Sequence, residues 1–439
     1  MDTYLSALEC DRNCGASLVG PCRHYCNKVA ARNKVVVAYK KLILEILVTD
    51  EPANVECILI ADDLTGACDT GVQFVRRGLS CRVELNLSDY STLAMTDVLG
   101  FNTNSRSDTV VQCRQKIEGL AVSCSRLRSN IIFKKVDSTL RGNVGEEIAT
   151  ALRAFKCEAA IIAPAFPAMC RLVRDGILHW VDCSGSGQID ICSLLAQQGL
   201  SPDKLVLMSP ASRDLVNFAH ELNARVADGK QFFIVDCESQ DDLHFAAAVG
   251  TALPRRILWA GSAGLGIALG DHMAKSQVHT PAFAMTDASM LFFIGSTHPG
   301  TLRQKEALRA ATDAVEVAAT PETVAVACRA LRDKRHLIVT IEHGRLSELS
   351  LRQFVDSLSG FRVAAMFLTG GDTGTLVCNA IGARSIDLRD EIVPGFPWGV
   401  LDGGTFHGLP VASKSGGFGD ADALLRCAEF FAPAQRTSR

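Results

Sequence analysis

The sequence has no long apolar run. Nothing in it approaches the roughly 18 consecutive apolar residues of a membrane-spanning helix. It has no block of lysine and arginine either, and a net charge of -3 over 439 residues leaves no electrostatic footprint for nucleic acid. The opening MDTYLSALECDRNC lacks the basic start and apolar core of a secretory signal. A cytoplasmic protein without a membrane or nucleic-acid partner is therefore expected. Several catalytic signatures are also missing: the GxxxxGK[ST] phosphate loop, the GxSxG nucleophile elbow, and any histidine group that would hold a metal. No fixed-period repeat is evident.

Cysteine, by contrast, is plentiful. The 17 cysteines are odd in number, scattered and often set in apolar runs, so they read as small buried hydrophobes of a reducing compartment. Cys10, Cys14, Cys22 and Cys26, with His24 beside them, cluster near the start, but the separation between pairs is short for common zinc folds. They fall in an N-terminal extension of unassigned role, residues 1–55, where KVVVAYKKLILEILV (34–48) has the period of an amphipathic helix. The length implies two or three domains, and 48% hydrophobic residues supply enough apolar material for their cores.

From Glu56 onward short apolar runs alternate with helical patterns. CILIAD (57–62), IIFKKVD (131–137), AAIIAP (159–164), FFIVD (232–236) and ILWAG (257–261) are continuous enough to be strands covered on both faces. KSQVHTPAFAMTDAS (275–289) is polar, contains proline and has no period, so it reads as a linker. The pattern then resumes with LFFIG (291–295), LIVTI (337–341), VAAMFLT (363–369) and PVASKSG (410–416). The expected fold is α/β, with two domains over 56–274 and 290–432. Each holds a mainly parallel sheet flanked by helices, and the active site lies in the cleft between them.

The polar motifs fall at strand ends, where such sheets bind ligands. IADDLTGACDTG (60–71) puts Asp62 and Asp63 after the first strand, and Thr65 and Gly66 at the next helix start. KKVDSTLRGNVG (134–145) repeats the layout with Asp137, the hydroxyls of Ser138 and Thr139, and the planar fork of Arg141. Arg106 and Arg171 end two further turns and, with Arg141, could clamp a small acid if they converge. In the second half GSTHPGT (295–301), TGGDTGTL (369–376) and KSGGFGD (414–420) place glycines after strands, which suits a polyphosphate. His298 reads as a satisfied loop histidine. GSAGLGIALG (261–270) is GxGxxxG rather than GxGxxG and reads as a tight strand-to-helix turn rather than a nicotinamide site.

Taken in order, IADDLTGACDTG, KKVDSTLRGNVGEE, APAFPAMCR, GSAGL, GSTHPGTLRQ, TGGDTG, PGFPWG and KSGGFGD resemble the four-carbon acid sugar kinase family over roughly residues 56–430. The resemblance implies an N-terminal domain for the sugar acid and a C-terminal domain for ATP, used with Mg2+. It assigns the acid to Asp62, Asp63, Arg106, Asp137, Ser138, Arg141 and Arg171. ATP falls to Ser296, to Gly370, Gly371, Asp372 and Thr373, and to Lys414, Gly416 and Gly417. On that reading Asp62 or Asp63 is the general base, Arg141 with Arg106 or Arg171 grips the carboxylate, and Lys414 helps spread phosphoryl charge. The sequence departs from the family at Cys170, where glycine is usual, and in shorter stretches after Gly176 and between Gln304 and Arg362. A non-catalytic sensor of the same ligands and, through GSAGLGIALG, an NAD-dependent dehydrogenase stay open as alternatives.

Overall fold

The computed structural model describes residues 53–85, 96–182, 185–210, 213–275, 288–342, 344 and 346–431. The N-terminal cysteine group, the 34–48 stretch and most of the 275–289 linker lie outside these residues.

Each apolar run named above forms a strand. In the first half these are β1 (Ala53–Ala61), β2 (Cys81–Glu84), β3 (Val98–Asn102), β4 (Leu127–Lys135) and β5 (Ala159–Ala163). Then come β6 (Arg171–Arg174), β7 (Ile177–Asp182), β8 (Gly185–Asp190), β9 (Leu205–Met208), β10 (Phe232–Val235) and β11 (Ile257–Gly261). The second half adds β12 (Ser289–Ile294), β13 (Val315–Ala318), β14 (Leu337–Thr340), β15 (Val363–Thr369), β16 (Ser385–Glu391), β17 (Pro397–Asp402) and β18 (Pro410–Lys414). β5, β10 and β11 are buried at every position, as strands with helices on both faces must be.

The two halves do not keep separate sheets. Among the described residues fifteen strands form one sheet in the order β13-β14-β12-β15-β18-β17-β16-β2-β3-β1-β4-β11-β5-β10-β9. β3 pairs in parallel with β1 and β2, β11 with β4 and β5, and β12 with β14 and β15. The seam is antiparallel: β16 pairs with β2 on one side and β17 on the other. Across it Arg82 donates to both oxygens of Asp387, at 2.6 and 3.0 Å, a planar fork on a carboxylate. β2 is short and half-exposed in pattern, so nothing in its sequence announces that it would carry the junction.

The helix Leu64–Val75 seals this seam from above. A Cβ at Gly71 would meet Leu388 of β16 at 2.7 Å and Cys81 of β2 at 2.8 Å, so only glycine lets the helix settle there. β6, β7 and β8 form a small separate antiparallel sheet. Trp180 of β7 lies flat against Gly187 of β8, and a Cβ there would overlap the indole.

Candidate active site

β1 delivers Asp62 and Asp63 at its carboxyl end, both buried. Asp63 is the N-cap of the helix Leu64–Val75 and accepts from the Gly66 amide at 2.9 Å and the Thr65 hydroxyl at 2.8 Å. Arg106, just beyond β3, donates Nε and Nη2 to Asp62 at 2.7 and 2.9 Å, and Nη1 to Asp63 at 2.8 Å. Asp137, beyond β4, accepts from Thr139 Oγ1 at 2.6 Å and from Arg141 Nε and Nη2 at 2.9 and 2.7 Å. Burial alone would raise the Asp62 and Asp137 carboxyls. The arginines outweigh it, Arg106 at Asp62 and Arg141 with Arg106 at Asp137, and hold both below the ordinary carboxylate range.

The arginines therefore differ from the expected trio of free forks. Arg106 is spent on Asp62 and Asp63. Arg171 is buried, donating to Asp182 at 3.2 Å and to the Met169 carbonyl. Arg141 alone keeps a largely open side chain, 62% exposed, with Nη1 left over from its Asp137 pairing. Three carboxylates, Asp62, Asp63 and Asp137, had to be satisfied once buried, and they took the nearest guanidinium groups.

On the facing side the glycine motifs converge. Gly370 has φ +86°, which turns the chain into the helix Gly371–Ile381. His298 caps the helix Pro299–Ala311, its Nδ1 accepting from the Gly300 amide at 3.1 Å. A Cβ at Gly416 would press on the Ser296 hydroxyl, and one at Gly417 would sit 3.4 Å from His298 Nε2. Two helix N-termini and two glycine turns thus open on one space, where free amides and helix dipoles favour phosphate. Lys414 is not among the groups facing that space. It is 1% exposed, and its ammonium donates to Thr301 Oγ1 at 3.0 Å and to the carbonyls of Ser415, Gly416 and Phe418 at 3.2, 3.0 and 3.2 Å. It ties the glycine loop from beneath.

A single cleft of about 780 Å³ brings the two sets together. Asp63, Arg106, Ser138, Arg141 and Arg171 line it from the first half, and Ser296, Gly370, Gly371, Asp372, Thr373, Gly416 and Gly417 from the second. Asp62 sits behind Arg106, and Asp137 lines a smaller cavity that opens beside Asp63. That cavity holds two residues the motif reading passed over, Asp69 and Lys135. Both are inside quoted motifs. The lysine pair of KKVD could not be told apart by type, but strand alternation sends Lys134 to a buried ion pair with Glu147 at 2.7 Å and Lys135 to the cavity.

The glycines of GSAGLGIALG are consumed by packing. Cβ atoms at Gly264, Gly266 and Gly270 would meet the Ala165 carbonyl, Thr70 and Arg77 at 2.6, 2.9 and 2.6 Å. No room for a dinucleotide is left against that turn. Among the described residues no group of three or more His, Cys, Asp or Glu is placed to hold a metal. Also among them, no helix is long and apolar enough to cross a membrane.

Residues 57–269 match the family model described as a sugar-binding N-terminal domain, and residues 291–424 the one described as a nucleotide-binding C-terminal domain. The chain belongs to the four-carbon acid sugar kinase family. It is 30% identical over 404 residues to a D-threonate kinase of Bordetella bronchiseptica, covering 84% of this chain and 96% of that one. It is 29% identical over 425 residues to a D-threonate kinase of Salmonella typhimurium, with the same coverage. A D-erythronate kinase of Heliobacterium modesticaldum is 23% identical over 426 residues, 85% of this chain and 96% of its own. A solved Salmonella typhimurium structure superposes with a TM-score of 0.69 at 18% identity, covering 86% of this chain and 99% of that one, which shows the shared fold. With the glycines of GSAGLGIALG taken up by packing, the dehydrogenase alternative lacks its cofactor turn.

Proposed function

We propose that the protein is an ATP-dependent kinase that phosphorylates a hydroxyl of a four-carbon sugar acid of the threonate, erythronate or 3-oxo-tetronate type. One observation carries the reading: Asp63 and Arg141 line the same cleft as Gly371, Asp372 and Gly416. Residues 56–274 then form the sugar-acid domain and 290–432 the nucleotide domain.

In this mechanism Arg141 receives the substrate carboxylate through its open side, with Arg106 and Arg171 shaping the wall beside it. Asp63, held by Arg106 and Thr65, accepts the proton of the attacking hydroxyl as it becomes nucleophilic. The amides at Gly371, Gly416 and Gly417, with the Ser296 hydroxyl, cradle the nucleotide phosphates and receive the charge that spreads over the transferring phosphoryl. Mg2+ asks for one or two carboxylates plus phosphate oxygens, and Asp372 with Thr373 at the same helix start fits that demand. The ion would offset phosphate charge there. Lys414 acts from below by holding the loop that presents Gly416 and Gly417.

A coupled ADP-release assay across threonate, erythronate and their 3-oxo forms tests the reading. Acid-dependent ADP release with at least one of them is expected. Binding of ATP and acid with no ADP release would make the protein a sensor instead.

A further inference from the structure

Two charged side chains at the floor of the acid half are buried yet form none of the short ion pairs above them among the described residues. Asp69, in the helix Leu64–Val75, is 8% exposed, and its Oδ1 has no hydrogen-bond partner among the described residues. Lys135, the last residue of β4, is 5% exposed, and its ammonium has no ion-pair partner among the described residues. Both line the small cavity that shares Asp63, Arg106 and Ser138 with the cleft and so opens into it. The Lys135 ammonium also lies beside the helix that carries Asp69. A Cβ at Gly66 would lie 3.1 Å from Lys135 Nζ, and Asp69 follows Gly66 by three residues, one turn along the same side. Burial pushes the Asp69 carboxyl up to about 7 against the pull of Lys135. A buried polar atom without a partner, as Asp69 Oδ1 is, is rare in a folded chain and marks a place where a ligand completes the bonding.

Size and chemistry narrow that ligand group. The cavity measures about 20 Å³, and about 10–15 Å³ is the least that holds one water-sized group. That is room for about one hydroxyl-sized group at the floor of the cleft. A hydroxyl can donate to Asp69 while accepting from Lys135. A carboxylate can only accept, and a methylene does neither. We propose that Asp69 and Lys135 grip one non-reacting hydroxyl of the sugar acid and make the protein discriminate against acids that lack it. The inference rests on the sugar-acid reading above and adds which end of selectivity these two residues supply.

The test uses the full chain and its Asp69→Asn, Asp69→Ala and Lys135→Met variants. Calorimetry gives the Kd of D-threonate, D-erythronate, 3,4-dihydroxybutanoate and 2,4-dihydroxybutanoate, and ADP release gives kcat/KM. The wild type should bind a trihydroxy acid about 100-fold more tightly than one of the two deoxy acids, and Asp69→Ala should reduce that ratio to about threefold or less, as expected when a site built for a hydroxyl loses its partner. Unchanged ATP affinity in the variants shows that the fold is intact, which a merely structural role for Asp69 would not combine with a collapsed ratio. A ratio preserved in Asp69→Ala and Lys135→Met overturns the proposal, as does a wild type indifferent to both deoxy acids. If the wild type binds acids but releases no ADP with any, phosphotransfer fails while the binding ratios still decide the hydroxyl claim. Failure of every acid to bind overturns both.

Discussion

Asp63 of the first half lies against the backbone of Gly371 in the second. A methyl added at Gly371 would meet Asp63 Cβ at 2.7 Å and Cγ at 2.8 Å, with Oδ2 nearer still. The carboxylate read as the proton acceptor and the helix start read as the phosphate cradle are thus neighbours by van der Waals contact, and the glycine is what permits it. Gly371→Ala should push the carboxylate out of line. Misplacement on the scale of 1 Å costs about 100-fold in rate, so kcat should fall by roughly that factor while the melting temperature changes little. Steady-state kinetics beside a thermal melt check it. Full activity in Gly371→Ala would remove Asp63 from the reacting geometry.

Lys414→Met should act on the nucleotide side. Removing a buried cation takes one of two donors from each of the carbonyls of Ser415, Gly416 and Phe418, which keep the Phe418 amide, Thr301 Oγ1 and Gln304 Nε2. A loss of about 2–3 kcal/mol in stability is expected. The KM for ATP should rise more than the KM for the acid. Equal effects on both would mean that the lysine supports the whole cleft rather than one loop.

Asp69 makes stability depend on pH. Its carboxyl is raised from 3.8 to about 7 in the folded state, by burial first, with Glu391 and Asp63 adding to it and Lys135 opposing. The folded chain then holds a proton that the unfolded chain releases. Its stabilising share is complete below about pH 4, declines as pH rises, and is gone above about 7. Asp69→Asn removes this dependence, so the variant should gain on the wild type progressively between those limits, by about 4 kcal/mol once pH exceeds 7. Denaturant midpoints at several pH values measure it. A constant difference across the range would show that Asp69 is ionised throughout.

Cys170 sits in the left-handed region at φ 56°, ψ 43°, exposed, at the position where glycine was expected from the family resemblance. The departure noted in the sequence is thus a backbone that still adopts the glycine conformation and carries a side chain at a cost. Cys170→Gly loses no packing and should stabilise the fold by about 0.5–1 kcal/mol, the relief of left-handed strain less the added freedom of the unfolded chain. A destabilised variant would show that the thiol contributes contacts that offset the strain.

Most of the architecture was legible because its strands are buried on both faces and so read as unbroken apolar runs between glycine and polar turns. CILIAD, IIFKKVD and VAAMFLT are examples. The join between the halves was not legible. β2 and β16 are short or half-polar strands at the middle of the sheet, and pairing between strands so far apart in sequence leaves no local period. The site was legible at the level of motifs and less so at the level of single side chains. Arg106 and Arg141 have the same residue type and similar surroundings in the sequence. Which one is consumed by Asp62 and Asp63 is decided by the path of the turn after β3, which carries Arg106 across to the end of β1. Lys414 misled for the same reason: a lysine beside glycines suggests phosphate, but here the loop curls over its ammonium.

The most direct test of phosphoryl transfer across the cleft is 31P NMR of ATP, Mg2+ and a four-carbon acid with the wild type and Asp63→Asn. The wild type should convert the γ-phosphate into a new phosphomonoester signal that appears only when the acid is present. Asp63→Asn should bind ATP but give at least about 100-fold less of that signal. Inorganic phosphate as the sole product, or a phosphomonoester formed equally well by Asp63→Asn, would contradict the account.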